Sequence, residues 1–356
     1  MYSYPTRVEV CLRRGLEPNA LVLSTWCFIW LILLGCAPRD NPVIRGDNRV
    51  ITGTTMGTYF KVETVCDQVP IEAEIVAELD RLTLIFSTYR DDSEITQLND
   101  DVTGEWLSIG PDMLSVAMHA RRMFVASHGA FDPTVSPYLE LWGFGNEEVA
   151  AVPDPRAMDA VRPKVGYSLI EIRDVPPSLR KYQVDVRLDF SASAKGYSVD
   201  RVAELIETQA CTNYLVDIGG DVRFAGVNSN GEAWRIGIEN PMEPSEVLGY
   251  LASHDGAVAT SGTYMNTRTF DDAIYNHLID PRSGRPIRSQ LLAVSVFADD
   301  AISADAWATA LIVAGSEESR ALARRFNLSA LFMARDFEGG VETEVMGEFE
   351  SFVRSY

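Results

Sequence analysis

The chain has 356 residues, 46% of them apolar, so a core of ordinary globular size can be buried in one large domain or two modest ones. Its formal charge of −20 repels phosphate backbones and anionic headgroups, which argues against nucleic acid as a partner and against electrostatic docking on lipid. A phosphorylated substrate would need local cations to offset this field. Predicted elements follow in chain order. TYFKVETV reads as a strand, IEAEIVAELDRLTLIF as a helix and WLSIG as a strand. GPDMLSVAMHARRMFVASHG reads as a helix with Pro111 and Asp112 in its first turn and Gly129 as its C-cap. A strand YQVDVRLDF ends near Phe190, and the helix SVDRVAELIETQ begins near Tyr197 or Ser198, with Lys195 and Gly196 at the turn between them. NYLVDIG, WRIGIENP and LLAVSVFA are strand-like; ISADAWATALIVAG and SEESRALARRFN are helix-like. The tail FEGGVETEVMGEFESFV reads as strands joined at a Gly339-Gly340 hairpin turn. Strands and helices mix without strict alternation, which points to α+β. No G-x-G-x-x-G lies between a strand and a helix, so a Rossmann dinucleotide site is not supported.

The amino terminus stands outside this pattern. Arg7, Arg13 and Arg14 precede the apolar run Ala20 to Gly35, which is short for a spanning helix and reads as a signal h-region. It ends in Leu33-Leu34-Gly35-Cys36, which resembles the bacterial lipobox, where a small residue before the cysteine permits cleavage and the cysteine takes the lipid. An uncleaved anchor is the alternative. The expected layout is a signal peptide over 1–35, a lipidated Cys36 with a polar tether over 36–49, and the folded domain over 50–356. Cys66 and Cys211 then remain as a possible disulfide that the sequence leaves open.

Five segments carry chemistry. In SADAWATALIVAG, Asp305 and Thr309 are four residues apart, so both side chains leave one helix face. Ser303 as a cap, Asp305 complementing the dipole and Thr309 bonding back to a carbonyl give a purely structural reading. A hard-cation site is the functional one, because Mg²⁺ takes oxygen ligands and few of them from protein. In VRLDFSASAKGYSVDRVAELI, Asp189 lies at a strand end and Lys195 could meet phosphate charge; a plain corner with a solvated lysine is equally open. GAFDPTVSPYLELWGFG is a packed loop or a pocket wall for a flat heteroaromatic ring, with Asp132 bonding a polar edge. VATSGTYMNTRTFDDAIYNHLIDPRSGRPI places a strand bearing His277 between two turn signals. In TTMGTYFKVE, Gly57 allows close approach and Met56 could lie on a ring, or the segment is a bulge opening an edge strand.

Taken together and in this order, these segments resemble the ApbE family, the bacterial FAD:protein FMN transferases. FSTYRDDSEITQLN and YLVDIGGDVRFAG add two further matches, and the set runs from about residue 50 to residue 315. The resemblance implies a single ApbE-like (T-fold-like) domain of mixed sheets packed with helices, and a Mg²⁺ held by Asp305, Thr309 and the backbone oxygen of Ala192. Relatives often carry two glycine-like residues where this chain has Ser191-Ala192. Met56, Tyr89, Ala130, Phe131, Asp132, Asp189, Lys195 and Ile279 fall on positions that look like FAD contacts.

The implied reaction cleaves FAD at its pyrophosphate, attaches FMN to a threonine or serine of an acceptor flavoprotein and releases AMP. Such a transfer depends mainly on positioning and charge neutralisation. Lys195 would offset phosphate charge, and His277 is the candidate base because an unperturbed imidazole titrates near neutral pH. Expected partners are FAD and exported acceptor flavoproteins, such as subunits of ion-pumping redox complexes. The expected location is the bacterial cell envelope, on a lipid anchor facing the periplasm. A Mg²⁺-dependent FAD pyrophosphatase giving FMN and AMP, and a non-catalytic FAD-binding lipoprotein, are the alternatives.

Overall fold

The period-two pattern of TYFKVETVC becomes burial directly over its first half: Phe60 and Val62 are buried while Tyr59, Lys61 and Glu63 are not, and the strand is buried on both sides from Thr64 on. This strand belongs to an eight-stranded sheet in the computed structural model, which describes residues 47–67, 72–145, 149–347, 349 and 353–354. The signal segment 1–35, Cys36 and the tether as far as residue 46 lie outside the described residues. The sheet's strands are β1 (Asp47–Thr55), β2 (Thr58–Cys66), β3 (Tyr214–Ile218), β4 (Asp221–Ala225), β5 (Gly256–Gly262), β6 (Leu291–Ala298), β7 (Ser329–Arg335) and β8 (Val341–Met346). They lie side by side in chain order, and every neighbouring pair is antiparallel. The first strand starts at Asp47, so the sheet takes in the last residues assigned to the tether.

Everything else is inserted into this meander. Between β2 and β3 come α1 (Glu72–Phe86), α2 (Glu94–Asp100), α3 (Pro111–Ala126), α4 (Ser136–Leu141), α5 (Pro155–Val161) and α6 (Ser191–Glu207), with a small sheet of Leu107–Ser108, Pro177–Lys181 and Ile170–Asp174. The hairpin Trp234–Asn240 and Glu243–Ser253 lies between β4 and β5. Two short hairpins, Thr267–Phe270 with Ala273–Asn276 and Ile279–Asp280 with Arg285–Pro286, lie between β5 and β6. The helix α7 (Ala301–Phe326) fills the gap between β6 and β7 and packs on β5 and β6. The architecture is thus α+β, and Cys66 and Cys211 form a disulfide with Cα atoms 5.5 Å apart. It closes a 145-residue separation across the helical insertion, a constraint worth roughly 5 kcal/mol in the chain-entropy model.

Several sequence expectations need correction. Met56 and Gly57 form a two-residue hairpin turn with φ of 49° and 76°, the left-handed pair that suits right-twisted strands. Gly57 serves the positive φ of this turn, so the segment is a tight hairpin and not a bulge. YQVDVRLDF is not a strand: residues 182–190 run as turn and extended chain, and α6 starts at Ser191, well before Tyr197. Lys195 and Gly196 therefore lie inside a helix. The α7 N-cap is Asp300, whose carboxylate accepts from Ser303 N at 2.9 Å, so Ser303 is not the cap and Asp305 sits in the second turn. The two predicted C-terminal helices are both present within α7, parted by a non-helical Gly315 with φ 80° and ψ 178°.

The contact of α6 with α7 is unusually close. The Asp200 carboxylate accepts from Ala301 N and Ile302 N, both at 2.9 Å, and so covers the α7 amino terminus. One turn earlier, Gly196 meets the α7 backbone: a Cβ there would lie 2.3 Å from the Ala301 carbonyl oxygen. Gly196→Ala is expected to force the helices apart and to cost more than ~2 kcal/mol in denaturant unfolding. An alanine variant as stable as the parent would contradict this packing.

Candidate active site

The same contact gathers the charged groups. Gly196 N, whose regular helical acceptor is the carbonyl four residues back at Ala192, donates to Asp305 Oδ2 at 3.0 Å. The Ala192 carbonyl lies one turn before Gly196 on α6 and has lone-pair capacity to spare. On the α7 face, Thr309 Oγ1 lies 3.0 Å from Ser261 Oγ on β5. Lys195, one residue before Gly196, places its ammonium 2.6 Å from Asp221 Oδ2 and 3.5 Å from the Gly219 carbonyl oxygen. Gly219 and Gly220 both adopt positive φ, making the tight β3–β4 turn that delivers Asp221 to the start of β4.

Two buried carboxylates therefore face one ammonium. Asp221 is 1% exposed and Asp305 6% exposed. Burial pushes the Asp221 carboxyl up to about 8, with the nearby Asp305 charge adding to it and Lys195 opposing. Burial likewise raises Asp305 above the usual carboxylate range, against the pull of Lys195 and the Gly196 N–H. Burial works against the Lys195 ammonium, but Asp221 and Asp305 outweigh it and hold its pKa above the ordinary value. Two carboxyls share one ammonium in a place with little water, so a further cation would let both carboxyls ionise. No group of three or more His, Cys, Asp or Glu side chains gathers as a metal cluster among the described residues. A carboxylate, a hydroxyl and a backbone carbonyl, all oxygen, instead fit a hard cation that takes its remaining ligands from water or phosphate.

The other predicted site residues fall into three places. Met56, Ala130, Phe131 and Ala192 pack into the large core cluster that also holds Phe190, Ala194 and Trp307. The Ala130–Asp132 loop is tied to the α6 start, because Asp189 N donates to the Pro133 carbonyl at 2.7 Å and Asp189 Oδ1 accepts from Ser191 N at 2.8 Å. Asp132 is buried and ties its loop to a distant segment: it accepts from Thr134 N and Thr134 Oγ1 and from Tyr167 N. Ile279 belongs to a separate cluster with Tyr138 and Trp142. Tyr89 stands in solvent, 73% exposed.

His277 follows the strand Ala273–Asn276 and is not part of it. Its Nδ1 lies 3.2 Å from the Met265 carbonyl oxygen. That oxygen only accepts, so Nδ1 carries the proton and Nε2 is left as the basic nitrogen in the neutral ring. Burial lowers the imidazole pKa below its usual value, which favours this neutral form.

A family model for the ApbE family matches residues 56–332. The chain belongs to the ApbE family. Among curated ApbE relatives, the FAD:protein FMN transferase of Vibrio cholerae serotype O1 is 34% identical over 316 residues, 87% of this chain and 92% of the relative. That of Salmonella typhimurium is 31% identical, covering 91% of this chain and 95% of the relative. The solved flavin transferase ApbE from Vibrio cholerae superposes with a TM-score of 0.79 at 32% identity, over 86% of this chain and 99% of that one.

Sequence reasoning overlooked Asp221, Ser261 and Asp200, and took Gly196 for a turn residue. An acid directly after a Gly-Gly pair in a strand-forming stretch was the available signal for Asp221; Ser261 and Asp200 gave none. Asp221 and Asp305 have folded pKa values above their unfolded ones, so the folded state holds extra protons from about pH 4 to about pH 8. Stability falls as pH rises through that window. Asp221→Asn removes one of the two charges. In metal-free protein its unfolding midpoint is expected to fall less between pH 5 and pH 8 than the parent's, measured by thermal melts. Identical slopes would contradict the charge crowding.

Proposed function

We propose that this ApbE-family enzyme carries out Mg²⁺-dependent transfer of FMN from FAD to a threonine or serine hydroxyl of an exported flavoprotein. The observation that carries this reading is the Asp305 carboxylate, held by the Gly196 amide, one helical turn from Thr309 and beside the Lys195–Asp221 pair. In the reaction the P–O–P bridge of FAD breaks, a new bond forms from the acceptor oxygen to the FMN phosphorus, and AMP leaves with the bridging oxygen. Asp305, Thr309 and the Ala192 carbonyl would hold the metal. Mg²⁺, when bound, would neutralise pyrophosphate oxygens and the charge that develops on the leaving group.

The chain's own groups do the rest. Lys195, its side chain 28% exposed, keeps its ammonium charged through Asp221 and offers it to phosphate in a strongly acidic protein. Met56, Ala130 and Phe131 form the apolar backing for FAD, Tyr89 offers a ring for stacking, and Asp189 and Ile279 bracket the pocket from the segment before α6 and from the DPRSGRP hairpin. Asp132 contributes by fixing the loop that carries Phe131. His277 Nε2 takes the acceptor hydroxyl proton. Export on a lipid anchor at Cys36 would place the domain in the periplasm, next to acceptors such as subunits of ion-pumping redox complexes.

Asp305→Ala is expected to abolish the Mg²⁺ dependence of AMP release and to slow transfer by roughly 100-fold or more. His277→Ala is expected to slow it about 100-fold or more. In the parent, the neutral imidazole is the active form and its pKa is depressed, so turnover stays level from pH 8 to 7 and falls only in more acid buffer. Parental turnover in His277→Ala across pH 6 to 8 would rule His277 out as the base.

A further inference from the structure

A cleft of about 490 Å³ opens between the DPRSGRP hairpin and α7, and none of the groups assigned to FAD or metal lines it. Val313 lies on its wall. Asp305, Thr309 and Val313 recur every four residues, so the cleft begins about one helical pitch beyond Thr309 on the same stripe of α7. The kink at Gly315 ends the regular helix there, and a side chain at Gly315 would meet nothing within 4 Å.

Three arginines, Arg282, Arg285 and Arg288, line this cleft in a chain with 51 acidic and 31 basic residues. Arg282 is committed to Asp280 and Glu318, at 2.9 and 2.7 Å. Arg285 and Arg288 have no carboxylate partner among the described residues, and both are exposed. In so acidic a protein, unpaired guanidinium groups in a concave surface suit an anion from outside.

The floor argues against a nucleotide. Trp142 is 2% exposed and its indole N–H is spent on the Gly284 carbonyl at 2.9 Å. Its neighbour Tyr275 has the Arg288 guanidinium over its ring at 5.4 Å. Neither ring offers an open face for stacking a base. What remains is two arginine forks, three residues apart on one chain segment, matched to carboxylates spaced along an extended polypeptide.

We propose that this cleft docks an acidic, extended segment of the acceptor protein and so presents the acceptor hydroxyl to the FAD pyrophosphate beyond Thr309. This rests on the FMN-transferase reading. The test uses the full chain and a fluorescein-labelled peptide with a threonine flanked by four aspartates, with an asparagine counterpart as control. Anisotropy should show binding of the aspartate peptide, weaker binding of the control, and loss of at least about 10-fold in affinity in Arg285→Glu/Arg288→Glu. FAD affinity and the thermal midpoint should match the parent in that variant. Arg285→Gln/Arg288→Gln should fall between the two. Peptide binding that is absent, or indifferent to both variants, would overturn the proposal. A drop in FAD affinity, or displacement of the peptide by AMP, would make the cleft part of the nucleotide site and overturn it as well. Failure of the transferase reading itself would appear separately, as no AMP release from FAD and Mg²⁺ with the parent enzyme.

Discussion

The close crossing of α6 and α7 is the constraint from which the site follows. Asp200 and Gly196 lie one turn apart on α6 and meet Ala301 and Asp305, one turn apart on α7. The first pair uses a carboxylate to cover a helix terminus; the second uses the absence of a side chain to let an amide reach a carboxylate. Because both elements are helices packed on the antiparallel sheet, the spacing between Asp305, Lys195 and the Ala192 carbonyl is set by backbone and not by flexible loops. Catalysis by positioning needs that rigidity.

Electrostatics explains why this place is chemically distinctive in a chain of charge −20. The surface repels phosphates, yet the α6–α7 crossing holds a charged ammonium at Lys195 beside two buried carboxyls. Asp221 has a double effect. It keeps Lys195 protonated, and it adds to the negative charge that a metal would relieve. Removing either partner of a buried pair leaves the other uncompensated, so the two residues are expected to be functionally inseparable.

Much of this was legible in the sequence, for stated reasons. Alternation gave β2, β3 and β6, and the four-residue spacing placed Asp305 and Thr309 on one face of α7. The Cys66–Cys211 bond was legible only as the pair left over. What failed were the local signals around residues 182–198. Alternating apolar residues suggested a strand where the chain is irregular, and small residues with a glycine suggested a turn where α6 is already under way. Glycine costs helix stability locally, but here Ala301 leaves no room for a Cβ, so tertiary contact overrides propensity. Asp221 was missed because its importance comes from a residue 26 positions earlier, a distance that no local pattern encodes.

The most direct measurement incubates the domain beginning after Cys36 with FAD, Mg²⁺ and a flavin-acceptor domain, follows AMP, and weighs the acceptor by intact mass. AMP that appears only with acceptor, together with an acceptor heavier by one FMN, is the predicted result. AMP formed equally without acceptor, or an acceptor of unchanged mass, would contradict FMN transfer as the reaction of this site.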